Sequence, residues 1–222
     1  MDSKRPLTPE EIHQALAVEI LDQDGTKTTL GDLIKGKKVI LIFIRHFWCT
    51  NCQVYTYQFG KSIPPSSLPS GVEAYIIGCG SSAPIPTYIQ NTQSPYPVYT
   101  CPSLDLHRIF DFTRTLKGPP SPSSSRADDQ DRKTYLDGVG GGTKRTWLAI
   151  KQNLFTNPLH GSDKVRGPSD QNGGEVVFEQ DGTCSYIHRM QNVVDHTELK
   201  DLAEIIGAEY VPLTEKQKAF PG

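Results

Sequence analysis

The hydrophobic pattern divides the chain into a first half of apolar runs and amphipathic stretches, a polar middle, and a patterned end. The strongest signal lies at residues 37–43, where Val39-Ile40-Leu41-Ile42-Phe43-Ile44 is apolar at every position. A strand that is apolar on both faces is covered on both, as at the centre of a mainly parallel sheet. Residues 72–78 predict a second buried strand, closed by the tight turn Gly78-Cys79-Gly80. Between the two, residues 49–59 lack Pro and Gly and predict a helix that Gly60 stops. Ahead of them, residues 8–17 predict a helix capped by Thr8, with Pro9 in its first turn and Glu10 and Glu11 following. Residues 18–21 read as a short strand ending in the turn 22–25, and 29–34 as a helical turn ended by Gly36.

A short helix near 85–91, a small strand at 97–99 and an amphipathic helix at 104–112 continue the alternation of strand and helix. Residues 117–133 then hold three Pro, four Ser and a dense run of charges, which predicts a loop too polar to bury itself. Gly138–Gly142 extends this flexible insertion to about residue 143, and 160–174 reads as loop again. Residues 144–155 predict a helix packing on the sheet, since Trp147, Ile150 and Leu154 recur at helical spacing. A hairpin follows, from 175–178 and 184–188 around Asp181-Gly182, and Asp195 is expected to cap a last helix running to about Ile206.

Crossover-linked parallel units, then an antiparallel hairpin and a final helix, make an α/β layout. It is that of a thioredoxin-like fold: a central mixed sheet flanked by helices, here with long insertion loops. At 222 residues the chain is expected to be one such domain, with a core large enough to need no disulfide staples.

Composition narrows the partners. A net charge of −2, from 23 basic and 25 acidic residues, gives no field to recruit nucleic acid or an anionic membrane. The run 39–44 is far too short to span a bilayer, and the charged first ten residues lack the apolar core of a secretion signal. A cytoplasmic location is the expectation. There, a close pair among five cysteines points to redox or metal chemistry before a structural staple.

That pair is Cys49 and Cys52. Cys49 falls where a central strand gives way to a helix, and the free N–H groups and dipole of a helix start favour a thiolate. Cys52, three residues on, lies on the same helix face, within reach of a disulfide. Arg45 and His46 stand close in sequence and can add positive charge. A strand–Cys-x-x-Cys–helix context is a strong redox signal. Zinc would need two further ligands, and no second Cys pair or His pair is present, so no metal or cofactor is expected. An inert buried pair is the bland alternative. Cys79 is either a resolving thiol or an incidental buried cysteine. His46 either orients a thiol or is structural, Trp48 either walls a pocket or packs, and His188 reads as structural.

The segment Phe43-Ile44-Arg45-His46-Phe47-Trp48-Cys49-Thr50-Asn51-Cys52 resembles the peroxiredoxin-like 2 (AhpC/TSA-type antioxidant) family. So do Ile77-Gly78-Cys79-Gly80, Pro97-Val98-Tyr99, Gly173-Gly174-Glu175-Val176-Val177-Phe178 and Tyr186-Ile187-His188-Arg189. The resemblance covers about residues 15–206 outside the insertions. It implies a thioredoxin fold and thiol-dependent reduction of a peroxide or endoperoxide by Cys49 and Cys52, regenerated by an external thiol reductant. Peroxiredoxins proper carry Pro-x-x-x-Thr-x-x-Cys. Aligning the last Cys with Cys52 puts Cys49 on the Thr and Arg45 on the Pro. That alignment favours Cys52 as the attacking sulfur, whereas helix-start electrostatics favour Cys49. Two further readings stay open: a thioredoxin-like enzyme repurposed as an isomerase or cyclase of a small apolar metabolite, and a non-enzymatic redox-sensing module.

Overall fold

The all-apolar run at 39–44 is central because the chain flanks it on both sides. In the computed structural model, which describes residues 2–118, 133–139 and 162–220, strand β3 (Lys38–Phe43) pairs parallel with β4 (Val72–Gly78) and antiparallel with β6 (Gly174–Phe178). Side chains alternate across a strand, so β3 feeds two cores. Ile40 and Ile42 pack with Tyr55, Phe59 and Leu202 on one face, while Val39, Leu41 and Phe43 pack with Ile20, Leu106 and Phe110 on the other. Fully burying one such side chain contributes roughly 1.5–3 kcal/mol.

Around this centre the seven strands run in the order β2-β1-β5-β4-β3-β6-β7. Strand β5 (Val98–Thr100) lies parallel to β4, and β7 (Cys184–Arg189) closes the far side as the hairpin partner of β6. Strands β1 (Glu19–Leu21) and β2 (Lys27–Thr29) form an antiparallel hairpin at the near edge. The sequence pattern had only the first of these: Lys27-Thr28-Thr29 is a polar edge strand with no buried residue to betray it.

Helix α1 (Pro9–Leu16) carries the expected Thr8 cap, completed as a capping box by Glu11. Helices α2 (Leu30–Ile34), α4 (Ile85–Thr92) and α5 (Asp105–Ile109) follow the expected order, α5 being shorter than its apolar pattern. Helix α3 (Thr50–Ser62) does not stop at Gly60. That glycine lets α3 pass against Pro95, whose Cδ would lie 2.5 Å from a Cβ there. The helix ends instead at Ile63, ahead of Pro64, where the residue before proline is pushed out of the helical region.

Later in the chain, the short helix α6 (Asp163–Arg166) lies in the stretch read as loop. Helix α7 (Leu199–Ile206) is not capped by Asp195: Glu198 occupies the cap position. The Asp195 carboxylate instead accepts from the Gln191 N–H and pairs with Lys133 at 3.1 Å. A last helix, α8 (Glu215–Lys218), had no apolar signature. The helix expected at 144–155 lies outside the described residues, as does most of the insertion 117–143. Within that insertion, Thr134–Val139 forms a 3-10 segment whose Tyr135 is buried against Tyr55. No helix among the described residues is long and apolar enough to cross a membrane.

Candidate active site

The chain leaves β3 at Phe43 and reaches α3 through Arg45-His46-Phe47-Trp48. Two bonds pin this bend: the Phe47 N–H donates to the Arg166 carbonyl at 3.1 Å, and the Gln53 amide donates to the Phe47 carbonyl at 2.8 Å. Cys49 is the N-cap of α3, and its sulfur accepts the Cys52 N–H at 3.4 Å. The thiol thus takes the place a Ser or Asp oxygen usually fills at a helix start.

Arg45 touches all three nearby thiols. Its Nη1 lies 3.6 Å from the Cys49 sulfur and its backbone N–H 3.4 Å from the Cys52 sulfur, while its carbonyl accepts from the Cys79 thiol at 3.1 Å. The side chain is fixed by Nε donating to the Asn172 amide oxygen at 3.0 Å and Nη2 to the Ser169 carbonyl at 2.8 Å. Asn172 reaches it because the next residue is Gly173, whose missing Cβ would stand 1.9 Å from the Phe43 carbonyl oxygen. No carboxylate pairs with this buried guanidinium among the described residues. A buried cation needs a partner charge, and the Cys49 sulfur is placed to carry it.

The two thiols are driven apart. Cys49 is held down at about 5: the Cys52 thiol donates to its sulfur, burial opposes, and the Arg45 charge and Cys52 N–H add to the lowering. Cys52 is pushed well up, by burial first and by its bond to Cys49. Both cysteines are free thiols in this structure.

The other expected site residues sit close by with different roles. His46 adds no positive charge: burial, together with the Arg45 and Arg166 charges, holds it at about 3, so it is neutral. Its Nδ1 is buried with no hydrogen-bond partner among the described residues. Trp48 is buried in the same cluster as Cys49 and Cys52. Burial pushes the Cys79 thiol up, and its bond to the Arg45 carbonyl keeps its proton in place. No group of three or more His, Cys, Asp or Glu side chains suited to a metal occurs among the described residues.

A model of the AhpC/TSA antioxidant enzyme family matches residues 61–192, more than half of the chain. The chain belongs to that family. Its peroxiredoxin-like relatives include peroxiredoxin-like 2C of Homo sapiens, 24% identical over 216 residues, with 97% of this chain and 87% of that protein covered. The Bos taurus protein of the same name is 24% identical over 198 residues, covering 89% and 80%. The thioredoxin-like protein AAED1, chloroplastic, of Arabidopsis thaliana is 26% identical over 185 residues, covering 83% and 68%. Among solved structures, a Cys-to-Ser variant of peroxiredoxin Q from Xanthomonas campestris aligns with a TM-score of 0.51 at 12% identity, over 84% of this chain and 87% of that one. The bacterioferritin comigratory protein of Xanthomonas campestris aligns with a TM-score of 0.50 at 11% identity, over 80% and 83%. The peroxiredoxin-like resemblance and the thioredoxin-like fold read from the sequence are both borne out. Family and fold together support a thiol oxidoreductase. The stretch the AhpC/TSA model matches begins after the Cys pair, so the pair's part in the chemistry rests on its own geometry.

Two residues of this site escaped the sequence. The Nε2 of His196 lies 3.4 Å from the Cys52 sulfur, and its Nδ1 lies 2.7 Å from a Glu175 carboxylate oxygen. The other Glu175 oxygen accepts from the Thr197 N–H at 3.1 Å and the Thr197 hydroxyl at 2.7 Å. Both side chains are fully buried. Burial pushes the Glu175 carboxyl up, but the bonds and charge from His196, with those from His188 and Thr197, hold it below its ordinary value. The Tyr55 ring stacks on the imidazole at 4.2 Å and 11°. Glu175 had a signal, being one acid in the apolar run 173–178, since a carboxylate buried in a sheet has a partner. Nothing local marked His196.

Proposed function

We propose that the chain is a thiol-dependent oxidoreductase that reduces a peroxide or endoperoxide through Cys49 and Cys52. The observation that carries this is the Cys49 sulfur at the start of α3, bonded by the Cys52 N–H and 3.6 Å from a buried guanidinium. Such a sulfur is a thiolate at neutral pH, and the thiolate is the reactive form.

In this reading the Cys49 thiolate attacks one peroxide oxygen. On a hydroperoxide the O–O bond breaks, the sulfur becomes a sulfenic acid, and the other oxygen leaves as an alcohol or water after taking up a proton; on an endoperoxide the attacked oxygen keeps its carbon, the sulfur becomes a sulfenate ester, and the other oxygen becomes a hydroxyl of the same molecule. Cys52 then displaces that oxygen, as water from the acid or as an alcohol from the ester, and closes a disulfide. An external dithiol reduces that disulfide and restores the pair. Cys49 is the attacker here, against the alignment that sets Cys52 at the peroxidatic place. The thiol that stands where peroxiredoxins have Thr holds the helix cap and faces the cation. Cys79 takes no part, because its proton is committed to the Arg45 carbonyl.

The test is mass spectrometry of fully reduced protein before and after a short pulse of equimolar peroxide. Rapid formation of a Cys49–Cys52 disulfide, reversed by a dithiol, is the expected result. Thiols that stay reduced under the pulse would overturn the reading.

A further inference from the structure

We infer that His196, oriented by Glu175, is the general base that deprotonates Cys52 for the second chemical step, disulfide closure. The inference rests on the pair reacting as proposed above, and it assigns the proton that step must move.

Cys52 is poorly suited to react unaided. It is wholly buried and its thiol donates to the Cys49 sulfur, so it keeps its proton in the reduced protein. In that state the proton has a good acceptor, the Cys49 thiolate. Once Cys49 carries a sulfenic oxygen that negative sulfur is gone. Besides the Cys49 group, the Cys52 sulfur has two polar neighbours among the described residues: the Arg45 N–H, which is a donor, and the His196 Nε2 at 3.4 Å. Of these two, only the imidazole nitrogen can take the proton.

Glu175 makes it able to. A carboxylate 2.7 Å from Nδ1 fixes the N–H on that nitrogen, which leaves the lone pair on Nε2, facing sulfur. Thr197 holds the carboxylate through two bonds and Tyr55 holds the ring plane by stacking, so neither member of the dyad is free to turn. The groups facing the imidazole are Cys52 and Tyr55 from α3, Tyr135 from the 3-10 segment and Glu175 from β6. The arrangement is a nucleophile, a base and an orienting acid in series.

The step balances without an outside oxidant. The Cys52 S–H bond breaks and its proton passes to Nε2. The freed electron pair forms the S–S bond as the Cys49 S–O bond breaks. The departing hydroxide takes the proton back from the imidazolium and leaves as water. The Cys52 sulfur is oxidised, and the Cys49 sulfur is reduced from the sulfenic to the disulfide level.

The test separates the two steps in full-length protein, comparing wild type with His196→Gln and Glu175→Gln. One arm gives a peroxide pulse and follows Cys49 sulfenic acid with a dimedone-type trap and the disulfide by mass. The other caps Cys49 with a methyl thiosulfonate reagent and follows loss of methanethiol as Cys52 closes the ring, with no peroxide present. In His196→Gln closure should slow about a hundredfold in both arms, within the range of general-base effects, and by far more than any change in the first step. Glu175→Gln should slow closure in the same direction, and it keeps the test alive should His196→Gln not fold. Closure at the wild-type rate in the thiosulfonate arm, in a folded variant, overturns the inference whatever peroxide does. Slowed closure in that arm in a protein that ignores peroxide supports the base while overturning the peroxide reading.

Discussion

Arg45 holds its Nη1 3.6 Å from the Cys49 sulfur, so a cation and an ionisable thiol share one buried space. Replacing Arg45 by Met removes that charge with little change in length. An opposite charge this close shifts a pKa by roughly 1–3 units, so the Cys49 midpoint should rise by at least ~1 unit in the variant. Ultraviolet titration of thiolate absorbance reads this directly. An unchanged midpoint would mean that the Cys52 thiol and the helix start ionise Cys49 without the Arg45 charge.

The same group sets a pH limit on the wild type. Cys49 lies at about 5, below its ordinary value of 9.0, so the depressed-pKa case applies. The stability gained through the thiolate is complete above 9.0 and is lost as pH falls through about 5. Attack on peroxide should therefore hold a plateau near neutrality and fall tenfold per unit below about pH 5. Stopped-flow rates from pH 4 to 8 test it, and a midpoint near 9 would refute it.

The order of the two sulfurs is open to a simple pair of variants. Cys52→Ser should accumulate a lasting Cys49 sulfenic acid after a peroxide pulse, and Cys49→Ser should yield none. The reverse pattern, read by trapping and peptide mass, would make Cys52 the attacker. Cys79→Ser should leave Cys49–Cys52 disulfide formation at its wild-type rate, since a serine hydroxyl can donate to the Arg45 carbonyl as the thiol does.

Gly60 supplies a stability test. Alanine favours a helix interior over glycine by about 1 kcal/mol. Here the added Cβ would meet the Pro95 ring at 2.5 Å, and neither backbone nor ring gives easily. Overpacking costs about 1–3 kcal/mol, so Gly60→Ala should come out destabilised or, at best, neutral in denaturant unfolding.

What could be read from the sequence was local. The apolar run 39–44 announces a central strand, and the residues around Cys49 announce a strand-to-helix bend, because each property depends on neighbours in the chain. Gly60 was misread because the same residue type ends helices and admits close packing, and only Pro95, far along the chain, decides between them. The Asp195 cap failed for a similar reason, its carboxylate being drawn to Lys133 and the Gln191 N–H. His196 was out of reach altogether. It stands 144 residues from Cys52, and the fold brings them together through β6 and the turn after β7.

The contact between Arg45 and Cys49 also bears on how readily a Cys49–Cys52 disulfide, if formed as proposed, would be reduced. A guanidinium that neutralises a thiolate loses that partner when the sulfur enters a disulfide, and it remains buried. Whatever lowers the thiolate's free energy therefore favours the dithiol over the disulfide, moving the couple's reduction potential upward by about 30 mV for each ~1.4 kcal/mol. In the proposed cycle, the contact that ionises Cys49 would thus also make the resulting disulfide a better electron acceptor.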